Sequence, residues 1–140
     1  MSLESFAFEN LKRRHPHIRK NGLRECLRQI DAREILGSKS LGFIPDATEL
    51  IGDTLYIYEI EDTNRITSEK LAAIRTFGHD LYDTSIPECY TVLVVVDRYG
   101  INETIVWRVK DEIMWTYEPT GEWLSESEIE RREAQSEKGT

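Results

Sequence analysis

The chain is poor in cysteine, proline and glycine, with two, four and eight in 140 residues. Cys26 and Cys89 fall far apart, in a predicted helix and a predicted strand. They read as two reduced, buried thiols and exclude a disulfide framework or a cysteine-based zinc site. No stretch approaches the roughly 20 apolar residues that a membrane span needs. The opening MSLESFAFENLKRRHPH lacks the basic-then-apolar layout of a secretory signal, so a cytoplasmic location is expected. There is no P-loop, no Gly-rich dinucleotide fingerprint and no serine or cysteine nucleophile pattern. Base is scarcer than acid: 18 Lys and Arg stand against 26 Asp and Glu, a net charge of −8. Taken alone, that balance disfavours a nucleic-acid partner. The distribution changes the reading, because residues 1–35 carry a net +3 and the remainder a net −11.

What is present points to one α/β domain over residues 1–123, with residues 124–140 as a polar C-terminal helix or tail. Leu3, Phe6, Ala7 and Leu11 have helical spacing over 3–14, and Pro16 ends that pattern. Leu23, Cys26, Leu27 and Ile30 form the stripe of a second helix over about 22–36, closed by Gly37. Strands are expected at about 42–50 and 54–62. Thr67 or Ser68 then caps a third helix whose stripe is Leu71, Ile74, Phe77, Gly78 and Leu81. CYTVLVVVD, at 89–97, is the continuous apolar run of a central strand buried on both faces, and ETIVWRVK at 103–110 is another strand. The expected fold is a mixed sheet of about four strands flanked by helices.

The most informative feature is a cluster of three carboxylates. Closing the hairpin at IGDT with Leu50 opposite Leu55 sets Thr48 against Ile57 and Asp46 against Glu59. Directly opposed side chains lie about 4.5–5.5 Å apart at Cβ, where two carboxylates repel. A divalent cation is an economical reason to hold them together. Glu59 and Glu61 are two apart and share a face. The simpler alternative is a Pro-Asp turn followed by strand acids that face water. Against it, Leu50, Leu55 and Ile57 on the same face demand burial.

Pro45-Asp46, followed about a dozen residues later by Glu59-Ile60-Glu61 on the next strand, resembles the motif of the PD-(D/E)XK nuclease superfamily. The order helix, strand, strand, helix, strand, strand over roughly residues 20 to 110 fits that resemblance. The third motif position, usually Lys, is Glu61 here. Some members carry Glu or Gln there and still cleave, whereas others have lost site residues and only bind or build.

The resemblance implies a restriction-endonuclease-like fold and a Mg²⁺ or Mn²⁺ ion held by Asp46, Glu59 and the carbonyl of Ile60. It also implies Glu61 orienting water or binding a second ion. Lys70, in the first turn of the third helix and within its apolar stripe, is placed to reach back to Glu61 or to a scissile phosphate. Some members carry the catalytic Lys on this helix; the plainer reading is a Lys that snorkels from the stripe's edge. Glu9, Glu25 and Glu34 are candidates for the upstream helical acid of such sites, and the residues do not choose among them.

KRRHPHIRK offers Arg13, Arg14, Arg19 and Lys20 as phosphate contacts, or forms a solvated basic loop. His79 reads as a partly buried helix residue. The expected function is a metal-dependent nuclease hydrolysing phosphodiester bonds in DNA. The alternative is a catalytically inactive nuclease-fold protein that binds nucleic acid or protein. A third reading is an acidic protein that binds a basic partner. Because superfamily members dimerise to cut both strands, a homodimer is one expected arrangement.

From Glu118 onward the chain carries seven acids and three bases, with few apolar anchors. Removing residues 126–140 is therefore expected to move the thermal midpoint by only a few degrees. Loss of cooperative unfolding in that truncation would show that the tail packs on the core.

Overall fold

The computed structural model describes residues 3–30, 42–61, 66–110, 115–117, 123–125, 131 and 134–135. Glu34 and residues 62–65 lie outside this set. The first helix, α1 (Leu3–Arg14), buries Ala7 and Leu11 one turn apart and ends in Lys12, Arg13 and Arg14. A two-residue strand, β1 (Arg19–Lys20), follows, then the short helix α2 (Leu23–Gln29). Strands β2 (Ala47–Ile51) and β3 (Thr54–Ile60) form the hairpin. Helix α3 (Ser68–Thr84) leads to β4 (Tyr90–Val96) and β5 (Glu103–Arg108). Beyond them, β6 (Trp115–Tyr117) and β7 (Trp123–Ser125) make a separate two-stranded sheet.

The main sheet has the order β1-β2-β3-β4-β5. β3 runs parallel to β4 and antiparallel to β2, so the sheet is mixed. Parallel neighbours need a crossover, and α3 supplies it. The fifth strand is the difference from expectation. Arg19 and Lys20 read as loop because two charged residues carry no apolar alternation, yet they pair with Thr48 and Ala47. The hairpin register is as read, with Leu50 opposite Leu55 and Thr48 opposite Ile57. Gly52 has φ 60 and opens the two-residue loop, where L side chains other than glycine are strained. Residues 42–46 lie outside the strand; Gly42 there has φ 83, which breaks the extended run.

Alternation splits β3 between two cores. Leu55 and Ile57 join Leu23, Leu27, Ile74 and Leu93 on the face covered by α2 and α3. Tyr58 joins Leu11, Ile18, Ala47 and Val94 on the face covered by α1. β4 is buried from Thr91 to Val96, as its apolar run requires. Both cysteines are free and buried. His79 packs edge-on to Trp107 with ring centroids 5.7 Å apart.

Helix α1 is held at its C-terminal end by charge. Asn10 Nδ2 donates to the Tyr99 carbonyl at 2.7 Å, and Arg14 donates to Glu103 at 3.0 Å and to the Gly100 carbonyl. The His15 ring lies between two carboxylates: Nε2 is 2.8 Å from Glu103, and Nδ1 is 3.5 Å from Glu49. Glu49 is nearly fully buried and also accepts from the Tyr58 hydroxyl at 3.4 Å. Burial and the adjoining Glu49 push the Tyr58 phenol upward. This is a second acid cluster, on the face opposite Glu59.

α3 approaches the sheet closely at Gly78. A Cβ there would lie 2.5 Å from Trp107 Cη2 and 3.2 Å from Thr91 Cβ. Gly78→Ala is expected to destabilise the fold by about 1–3 kcal/mol through overpacking, despite alanine's better helix propensity. Urea unfolding measures it, and a gain in stability would show that the α3–β5 contact is loose.

Candidate active site

Asp46 sits at the bend immediately before β2. The hairpin ladder ends at Ala47 opposite Tyr58, one step short of it. Asp46 takes over where the ladder stops: its Oδ2 accepts the Ile60 N–H at 2.8 Å. Its backbone carbonyl accepts the Asn21 N–H at 3.3 Å, and Asn21 has φ 49, a left-handed turn conformation that asparagine tolerates. The expected pairing of Asp46 with Glu59 falls one step beyond the hairpin ladder; Asp46 caps β3 at Ile60, and its charge adjoins Glu59.

Glu59 follows Leu55 and Ile57 on the α2/α3 face and is 5% exposed. Its Oε2 accepts from Lys70 Nζ at 2.9 Å. Its Oε1 is buried and receives no N–H or hydroxyl donor among the described residues, while the Asp46 carboxyl stands within hydrogen-bond reach of Glu59. Burial pushes the Glu59 carboxyl up to about 8; the Lys70 hydrogen bond opposes that shift and the neighbouring Asp46 charge adds to it. Lys70 reaches its position because Thr67 caps α3, accepting the Lys70 N–H at 3.1 Å and fixing the first turn. The sequence places Lys70 to reach Glu61 or a scissile phosphate; in the structure it hydrogen-bonds Glu59.

Glu61 is half-buried on the same side of the strand. Its N–H bonds the Val96 carbonyl at 2.8 Å, and its Oε1 accepts the Ile66 N–H at 3.3 Å. It therefore ties the end of β3 to the approach of α3. The structure brings together Asp46, Glu59, Ile60 and Lys70, whereas Glu61 bonds Ile66 and Val96. Glu9 is exposed on α1, which covers the other face of the sheet, so it stands apart from the site. Glu25 lines the same cleft as Lys70.

That cleft has a volume of about 810 Å³ and lies between α2, residues 42–45 and the first turn of α3. Comparison with family models, curated proteins and solved structures returned no match. Among the described residues no group of three or more His, Cys, Asp or Glu side chains is gathered to hold a metal ion. No helix among them is long and apolar enough to cross a membrane. The basic segment divides: Arg14 is engaged with Glu103 and Gly100, whereas Arg13, Arg19 and Lys20 are exposed.

Sequence reasoning missed two things. The first is the Glu49, His15 and Glu103 cluster; its one signal was a Glu within a strand that must be largely buried. The second is the cleft, whose walls come from three separate segments.

Glu59 contributes a pH dependence of defined sign. Its native value of about 8 lies above the ordinary 4.5, so the folded state binds the proton more tightly than the unfolded one. The resulting stabilisation is complete below about pH 4.5 and is lost as pH rises toward 8. Relative to wild type, Glu59→Gln is expected to flatten the fall of the thermal midpoint across that interval. Parallel profiles for the two proteins would show that Glu59 is not held out of water.

Proposed function

We propose that the chain is a metal-dependent nuclease hydrolysing phosphodiester bonds in DNA, on a restriction-endonuclease-like fold. The observation that carries this reading is Glu59 Oε1, a buried carboxylate oxygen with no N–H or hydroxyl donor among the described residues, set beside Asp46 at the end of a central strand. A buried acceptor left open costs about 1–3 kcal/mol, and a site that receives a cation accounts for it. Asp46, Glu59 and the Ile60 carbonyl would hold Mg²⁺ or Mn²⁺, hard ions that take oxygen ligands. The ion supplies Lewis acidity and a lowered pKa for bound water.

The chain's own residues support the remaining roles. Lys70 is the cation nearest the carboxylates and supplies the charge that Glu61 cannot provide at the motif's third position. Glu61, on the same face, would orient water or bind a second ion. Exposed Arg13, Arg19 and Lys20 follow the edge leading to Asn21 and contribute phosphate contacts. Arg14 contributes less, because Glu103 already neutralises it.

A second reading is favoured by the same ion pair. Lys70 already neutralises Glu59 at 2.9 Å, as it would in an inactive nuclease-fold protein that binds nucleic acid or protein. Mn²⁺ separates the two. On the nuclease reading it raises the melting temperature of the wild type, by the equivalent of roughly 2.7 kcal/mol at a hundredfold excess over Kd. It does little for Asp46→Asn, and plasmid nicking by wild type is lost in Asp46→Asn and Glu59→Gln. Absence of both Mn²⁺ stabilisation and nicking, with both variants strongly destabilised in metal-free buffer, would establish the structural ion pair instead.

A further inference from the structure

The cleft beside Lys70 has a composition that the carboxylates do not explain. Its charged lining consists of Arg24 and Lys70 against Glu25 and Glu69, which cancel. A phosphate is therefore drawn less to the cleft than to the edge strand β1, where Arg19 and Lys20 are exposed. Leu23 on α2 and Phe43, Ile44 and Pro45 on the neighbouring loop add apolar lining. Ile44 is 70% exposed, and leaving such a side chain in water forgoes the gain of burying it. Asn21 and Thr67 add neutral hydrogen-bonding groups to the lining.

A neutral cleft with both apolar and polar lining suits a flat, uncharged group with the same division, and a nucleobase has that chemistry. The volume of about 810 Å³ falls within the range of sites that hold one small ligand. Lys70 joins the cleft to the carboxylates, since it lines one and hydrogen-bonds the other. Resting on the nuclease reading above, we propose that the cleft seats one unpaired base next to the scissile phosphate. The preferred substrate is then a single strand, or a duplex with a tailed or frayed end, rather than uninterrupted duplex. A base enters such a pocket only out of its stack, and that step costs least where the base is already unpaired.

Fluorescence anisotropy of the full chain with two oligonucleotide duplexes of one sequence, blunt and single-strand-tailed, tests this. EDTA in the buffer makes binding independent of metal and cleavage. Wild type should favour the tailed form by about tenfold, the scale of one base contact. Ile44→Glu, at an exposed position that leaves the fold intact, should abolish that preference. It should keep the salt dependence set by the basic edge. Equal affinity of wild type for both forms overturns the proposal, as does a tail preference that survives in Ile44→Glu, and as does failure to bind either. A parallel incubation with Mn²⁺ reports on the nuclease reading separately. Tail-selective binding without cleavage supports the base seat and counts against the nuclease, whereas cleavage of both forms at equal rates does the reverse.

Discussion

β3 is hydrogen-bonded along both edges, antiparallel to β2 and parallel to β4, and this pairing fixes the direction of its own side chains at the site. A strand held on both sides cannot rotate to release one residue. With Leu55 and Ile57 committed to the core under α2 and α3, Glu59 must enter the same environment. The alternate amides follow the same logic. The Ile60 N–H points to the β2 side, where the ladder has ended, and the Asp46 carboxylate receives it. The Glu61 N–H points to the other side and finds the Val96 carbonyl. The acids are thus consequences of the register as well as candidates for chemistry.

The energetic position of Glu59 is exposed to two opposing terms. Desolvation penalises its charge, and the Lys70 ammonium offsets part of that penalty. One oxygen is satisfied and the other receives no N–H or hydroxyl donor among the described residues. Replacing such a pair by apolar side chains is often neutral for stability, so the pair is poor evidence for a purely stabilising role. A fold with this much apolar burial on both faces of β4 can carry the cost of one under-satisfied acid at a strand end.

The opposite face repeats the arrangement with a different outcome. Glu49 and Glu103 flank His15, Arg14 closes on Glu103, and Tyr58 donates to Glu49. Here the acids have basic or hydroxyl partners, and the result is a clamp that fixes the end of α1 to β2 and β5. That clamp also positions β1. The chain runs from His15 through Arg19 and Lys20 to Asn21, whose N–H is bonded to Asp46. The basic edge and the carboxylates are therefore mechanically linked through a few residues. The net charge of −8 concealed this, because it averages a basic N-terminal segment with an acidic remainder.

Much of this was local and so legible in the residues alone. Period-two alternation around the IGDT turn set the β2–β3 register, since a slip of one residue would expose Leu50, Leu55 and Ile57. The continuous apolar run of β4 declared a strand buried on both faces, and Thr67 or Ser68 declared the start of α3. Asp46, Glu59 and Lys70 came together because they lie on elements adjacent in sequence. Tertiary structure decided the rest. It made Arg19–Lys20 a strand, since pairing with β2 supplies bonds that two charged residues do not advertise. It sent Lys70 to Glu59, because helix pitch and strand twist together set which carboxylate an ammonium meets. It placed Glu25 at the cleft and Glu9 across the sheet, a choice between faces that helical spacing within either helix does not contain. Contacts across nearly ninety residues, such as Arg14 and His15 with Glu103, depend on how the helices pack on the sheet and leave no periodic trace in the chain.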